Sequence, residues 1–115
     1  MADMDEIWSL ERRCWLEGRS YYEQILYPQA VYAFPPPMGI FAGNAFVSQM
    51  GENGPCTDVE ITQQHAVEVE GVVSLAYHGV GHSVQGPRAS HCTSTWVKTG
   101  DGWKLMSHHQ TPLQP

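Results

Sequence analysis

The sequence predicts an α+β fold, with helices packed on one face of a curved, mostly antiparallel sheet. Three observations predict it. Helical spacing of apolar residues is confined to the first fifty positions. From residue 57 onward the pattern alternates with period two. The chain then closes on a hairpin, SHCTSTWVKTGDGWKLMSHHQTP, over residues 90–112. Segregated helices and strands are the mark of this fold class.

The elements follow in order. Residues 4–17 read as a helix whose broad apolar face is built by Ile7, Leu10, Cys14, Trp8, Trp15 and Leu16. Asp3, Asp5 and Glu6 favour its N-terminal dipole, and Gly18 is a stop. Ser20 followed by Glu23 matches a capping box for a second, short helix that cannot pass Tyr27, because Pro28 follows. Residues 30–34 form a short strand ended by Pro35-Pro36-Pro37, and residues 38–41 are extended. A third helical segment opens at Gly43-Asn44 and runs to about Met50, with Asn44 as its cap. After a loop at 51–55, four strands are expected: 59–69, 72–83, 88–99 and 102–110. The acids Glu68 and Glu70 alternate with valines, as on a solvated face.

Composition bounds the function. One domain is expected over residues 1–115. Hydrophobic residues make up 42% and charged residues only 16%, against ~25% charged in an average soluble domain. The shortfall predicts surface hidden in a pocket or against a second subunit. Net charge is −6 and the six basic residues are scattered, which argues against nucleic-acid binding. No charged leader with an apolar run is seen, nor an apolar stretch approaching ~18 residues. A soluble, cytoplasmic protein with no membrane partner is the expectation. Cys14, Cys56 and Cys92 are odd in number and widely spaced, as expected of reduced thiols.

A turn at Gly100-Asp101 pairs Thr99 with Gly102, Lys98 with Trp103 and Trp96 with Leu105. Strict alternation then sets Cys92, Ser94, Trp96, Trp103, Leu105, Ser107 and His109 on the concave, helix-covered face. It sets Thr93, Thr95, Val97, Lys104, Met106 and His108 on the outer face, which suits dimerisation.

These segments resemble a known family. The WSLERRCWLEG helix, the PPPMGIFAG segment and the terminal STWVKTGDGWKLMSHHQTP are similar to those of the nuclear-transport-factor-two-like superfamily, in its SnoaL-like and ketosteroid-isomerase-like branch. The resemblance implies a cystatin-like α+β cone, a barrel-like architecture of three N-terminal helical segments on a strongly curved mixed sheet. It also implies an internal pocket and a homodimer through the outer sheet face. Enzymes of this kind use a pocket aspartate as base, but Arg19 stands where similar proteins carry one, and Asp58 falls at a strand rim.

Histidine is the unusual residue type, with six copies in the sheet half. His109 is the first candidate for a catalytic acid or base, being on the face of Trp96 and Trp103, and His78 the next. Trp15, Tyr22, Tyr32, Phe34, Phe46, Tyr77, Ser94, Trp96 and Trp103 are the expected pocket lining. His78, His82 and His91 invite a metal reading, but strand residues four apart lie ~13 Å apart, so no metal is expected. No organic cofactor is implied either. The function expected is a pocket protein for a small apolar molecule: an acid–base isomerase, cyclase or hydrolase acting on a cyclic or ketone-bearing compound. The alternative is a non-catalytic ligand-binding or protein-interaction module that uses the same cone and dimer face.

Overall fold

Why the first thirteen helical residues lie where they do follows from their caps and their stripe. In the computed structural model, which describes residues 1–113, helix α1 spans Met4–Leu16. Asp3 caps it by accepting the Asp5 amide at 3.0 Å. Its inward stripe is Ile7, Glu11, Cys14 and Trp15, spaced as one helical face. Helix α2 spans Arg19–Ile25, followed by β1 (Leu26–Phe34), β2 (Gly39–Ala42), a 3₁₀ turn (Val47–Gln49), β3 (Asp58–Val69), β4 (Val72–Ser83), β5 (Gly86–Thr99) and β6 (Gly102–Pro112). The six strands form one sheet in the order β2-β1-β6-β5-β4-β3. β1 runs parallel to β6, and the other neighbours are antiparallel. The helices cover one face, so the core lies between them and the inward residues of the strands.

Several expectations change in detail. The capping box at Ser20 does not form. α2 starts one residue earlier with Gly18 as its cap and no side-chain bond. Gly18 is needed for close approach: a Cβ there would sit 2.2 Å from the Glu52 carbonyl oxygen, and one on Gly54 would sit 2.0 Å from that of Leu16. This backbone-to-backbone contact, with Glu17 bridged to Asn53, fastens the end of α1 to the loop before β3. The third helical segment is shorter than expected. Residues 43–46 are a turn, and only Val47–Gln49 are helical, without a side-chain cap. β1 begins at Leu26 rather than residue 30. Pro28 is tolerated because it lies where the pairing with β6 is interrupted, between Leu26 and Val31. Glu68 is not solvated but holds the Ala2 amide at 2.9 and 3.0 Å.

Two bulges position the side chains that matter below. In β3, Thr62 pairs with His78 but His65 with Ala76, and the extra residue is taken up near Gln63, whose φ is 51°. In β6, Leu105 pairs with Trp96 but Ser107 with Thr95, so Met106 is the extra residue. Each bulge exchanges the faces of everything beyond it.

Gly18→Ala and Gly54→Ala should each lower stability by roughly 1–3 kcal/mol, the cost of overpacking where only backbone can yield. Urea unfolding monitored by tryptophan fluorescence measures this, and an unchanged midpoint would contradict the close contact.

Candidate site: a carboxylate network inside the cone

Glu11 is the centre of the interior. Its place in the stripe between Ile7 and Trp15 turns it toward the sheet, and it is fully buried. A buried carboxylate is costly unless its oxygens are met by donors. Here they are met by three side chains from two strands. The Trp96 indole N–H donates to Oε1 at 2.9 Å. Tyr77 and Ser94 hydroxyls donate to Oε2 at 2.5 and 2.6 Å. Trp15, one turn on from Glu11, donates its indole N–H to the Tyr77 oxygen at 2.9 Å. Because Trp can only donate, this fixes the Tyr77 proton on the carboxylate. Tyr77, Ser94 and Trp96 all lie on inward positions of β4 and β5, where the register pairs Tyr77 with Cys92 and Leu75 with Ser94.

The network continues into β6. The Ser94 oxygen lies 2.6 Å from His108 Nδ1, and His108 Nε2 lies 2.9 Å from the Gln110 amide nitrogen. His108 Nδ1 is also 3.5 Å from Glu11 Oε2. With Ser94 donating to Glu11, His108 donates from Nδ1 to Ser94 and accepts at Nε2 from Gln110. Every hydrogen then has an acceptor with the imidazole neutral. Burial pushes the His108 imidazole below its ordinary range, against the pull of Glu11 and with help from His109. Burial, reinforced by Glu11, also pushes the Tyr77 hydroxyl well up and the Cys92 thiol up to about 12, so neither is an anion at neutral pH. The chain Glu11–Ser94–His108 can hold one proton or pass it between carboxylate and imidazole.

His109 was expected here and is not. It lies on the outer face and is exposed, because the bulge at Met106 moves the inward position to His108, opposite Ser94. His78 is outward as well, next to the inward Tyr77 and paired with His91. Trp15, Tyr22, Tyr32, Phe46, Tyr77, Ser94, Trp96 and Trp103 are buried and Phe34 is half-buried. They belong to one packed core. Phe46 is the hub of the aromatic part, with its ring 4.9 Å from Phe34, 5.4 Å from Tyr32 and 5.5 Å from Tyr22. Phe34 in turn lies 5.8 Å from the His108 ring. The Tyr22 hydroxyl is spent on the Cys14 carbonyl at 2.7 Å, while the Tyr32 hydroxyl is buried with no partner. A shallow cavity of about 440 Å³ does open between α2, β1 and the turn before the 3₁₀ segment, but Arg19, Glu23, Tyr27, Asn44 and Ser48 line it and none of the expected residues does. Arg19 points its guanidinium to the Ser48 and Met50 carbonyls, and Asp58 pairs with Arg12 at 2.8 Å on the surface.

Glu11 and His108 were the residues missed by reading the sequence. The signal for Glu11 was present: an acid four residues after Ile7 and four before Trp15 sits in the middle of an apolar stripe. For His108 no local signal existed, because the bulge is set by tertiary pairing.

No protein-family model matches this sequence, and no curated protein matches it significantly. Solved structures do. A protein from Parabacteroides distasonis, provisionally described as a ketosteroid isomerase, superposes with a TM-score of 0.79 at 14% identity, over 95% of this chain and 86% of its own. A protein of the nuclear-transport-factor-two-like type from Rhodospirillum rubrum, of unknown function in nutrient uptake, gives 0.77 at 16% identity, over 98% and 100%. The association domain of C. elegans CaMKII gives 0.67 at 14% identity, over 94% and 91%. The fold is therefore the nuclear-transport-factor-two-like cone.

Glu11→Leu strands three donors and should cost on the order of 3 kcal/mol or more, whereas the isosteric Glu11→Gln should cost about 1–3 kcal/mol. Chemical denaturation of the two variants beside wild type ranks them; equal costs would mean that shape, not charge, holds the network. For His108 the folded state disfavours the proton. Its contribution is complete above the ordinary imidazole range, ~6.5, and is lost as pH falls below it. The stability gap between wild type and His108→Asn should therefore narrow from about pH 7 to about pH 5. A gap that widens on acidification would show that Glu11, not burial, governs the ring.

Proposed function

We propose that this nuclear-transport-factor-two-like cone is an association module, which assembles with a second copy of itself through the outer face of the sheet. One observation carries the reading. At the outward positions of β4 and β5, the ladder from Val72–Val97 to His82–Pro87, no Asp, Glu, Lys or Arg is present. Valine, alanine, threonine, serine, histidine and a proline occupy them instead. An antiparallel sheet with one face in water normally alternates apolar-in with charged or polar-out. Large aliphatic side chains add to the uncharged face on both flanks: Val67 and Val69 on β3 are 58% and 64% exposed, and Val31 on β1 and Ile40 on β2 are 53% and 85% exposed. An uncharged ladder flanked by exposed aliphatic side chains is the usual signature of an interface. The low charged fraction of the whole chain, 16%, agrees with it. So does the likeness to the association domain of C. elegans CaMKII. The saturated Glu11 network fits a rigid platform behind that face.

A second reading is favoured by the Tyr32 hydroxyl, which is buried without a partner beside the Phe34–His108 wall. A ligand carbonyl there would satisfy it, and His108, backed by Ser94 and Glu11 and exchanging its Gln110 contact at Nε2 for the ligand, would serve as the acid–base group for an apolar cyclic or ketone-bearing compound. Chemical-shift changes confined to His108 and Tyr32 on adding a cyclic ketone would support it, and none at saturation would dismiss it.

The association reading is tested by sedimentation equilibrium at tens of micromolar. Wild type should be a dimer, and Thr93→Glu, which plants a charge at the middle of the face, should weaken it at least about tenfold, or ~1.4 kcal/mol, with an unchanged circular dichroism spectrum. A wild-type monomer would falsify the reading.

A further inference from the structure

The outer face carries a row of imidazoles that the carboxylate network does not use. His78 and His91 are direct partners across β4 and β5, with ring centroids 5.6 Å apart and planes at 66°. The row continues one diagonal step on each side. His65 pairs with Ala76, two residues from His78, and His109 pairs with Thr93, two residues from His91. Two independent bulges, at Gln63 and at Met106, are what bring His65 and His109 to this face.

We propose that the His78–His91 pair is half of a divalent transition-metal site, completed by the same pair of a second copy, so that four imidazoles surround one zinc-class ion on the two-fold axis. The inference rests on the association reading above. Its geometry is favourable. Zinc binds imidazole nitrogen at about 2.0–2.1 Å in tetrahedral sites, which sets the ring centroids of two ligands about 5.2 Å apart, close to the 5.6 Å found. The pair is held on two strands by the ladder, so little ordering is required. His78 Nδ1 is buried and has no hydrogen-bond partner, which leaves Nε2 as the nitrogen for the metal. The surroundings do not oppose a cation: across the ladder the flanking residues are Thr62 and Thr111, and neither β4 nor β5 presents a lysine or arginine outward. The neighbouring His82 is engaged by Glu60 at 2.6 Å and stands apart. Among the described residues no group of three metal-binding side chains could hold an ion. One chain therefore offers half a shell, and an isologous dimer supplies the other half, since a two-fold axis brings a surface against itself.

Sedimentation equilibrium in EDTA and in zinc chloride, with the bound metal counted by equilibrium dialysis, tests the proposal. The expected result is half an ion per chain, a dimer tightened at least about tenfold by zinc, and the visible bands of tetrahedral cobalt when cobalt(II) replaces zinc. His78→Ala and His91→Ala should each abolish the zinc response while leaving the EDTA-state dimer, and His82→Ala should leave both intact. One ion per chain, a zinc response that survives His78→Ala, or a dimer in EDTA that ignores zinc would overturn the metal site and spare the association reading. A chain that is monomeric with and without zinc would sink both.

Discussion

The structure depends on one buried charge constraint. A carboxylate on the inward stripe of α1 must be met by donors or expelled. Tyr77, Ser94 and Trp96 meet it from β4 and β5, and Ser94 hands the contact on to His108 of β6. One residue therefore fixes the angle of the helix over three strands. Hydrophobic contacts around Glu11 fill the volume, but they are non-directional; the hydrogen bonds select one seating of α1. The same bonds consume the donors of Tyr77, Ser94 and Trp96.

A second constraint is the parity of the sheet. Side chains alternate with period two, so one inserted residue reverses every later face. Both bulges turn a histidine outward. At Met106 the bulge brings His108 inward to Ser94 and sends His109 out; at Gln63 it turns His65 out beside the His78–His91 pair. The result is a division of labour between the faces. The concave side holds one neutral imidazole inside a proton-ordered chain, and the convex side holds four in a surface row without intervening charge. The interior network and the outer histidine row are thus separated by the thickness of the sheet.

Much of the architecture was legible in the residues. The helix face of Ile7, Cys14 and Trp15, the strand limits at 72–83 and 99, and the pairing of Trp96 with Leu105 across Gly100-Asp101 all follow from periodicity and turn chemistry. What failed did so where a longer-range contact outweighs a local preference. Ser20 and Glu23 have the spacing of a capping box, yet α2 begins at Arg19 with Gly18 clamped against Glu52. Pro28 looks like a stop and instead occupies a gap in the parallel pairing of β1 with β6. Glu68 looks solvated and binds the chain start.

The site divides in the same way. By itself the sequence determined which side chains could be interior, because amphipathic spacing and burial preference are properties of a segment. It placed Trp15, Tyr77, Ser94 and Trp96 within the cone, and it marked the chain as a whole as poor in charge. Only the tertiary structure decided which ionisable groups meet. Glu11 is one turn of helix among several until Tyr77 and Ser94, over sixty residues away in the chain, face it. The choice of His108 over its neighbour rests on one extra residue in β6, and a bulge is a property of two strands in register, not of either alone.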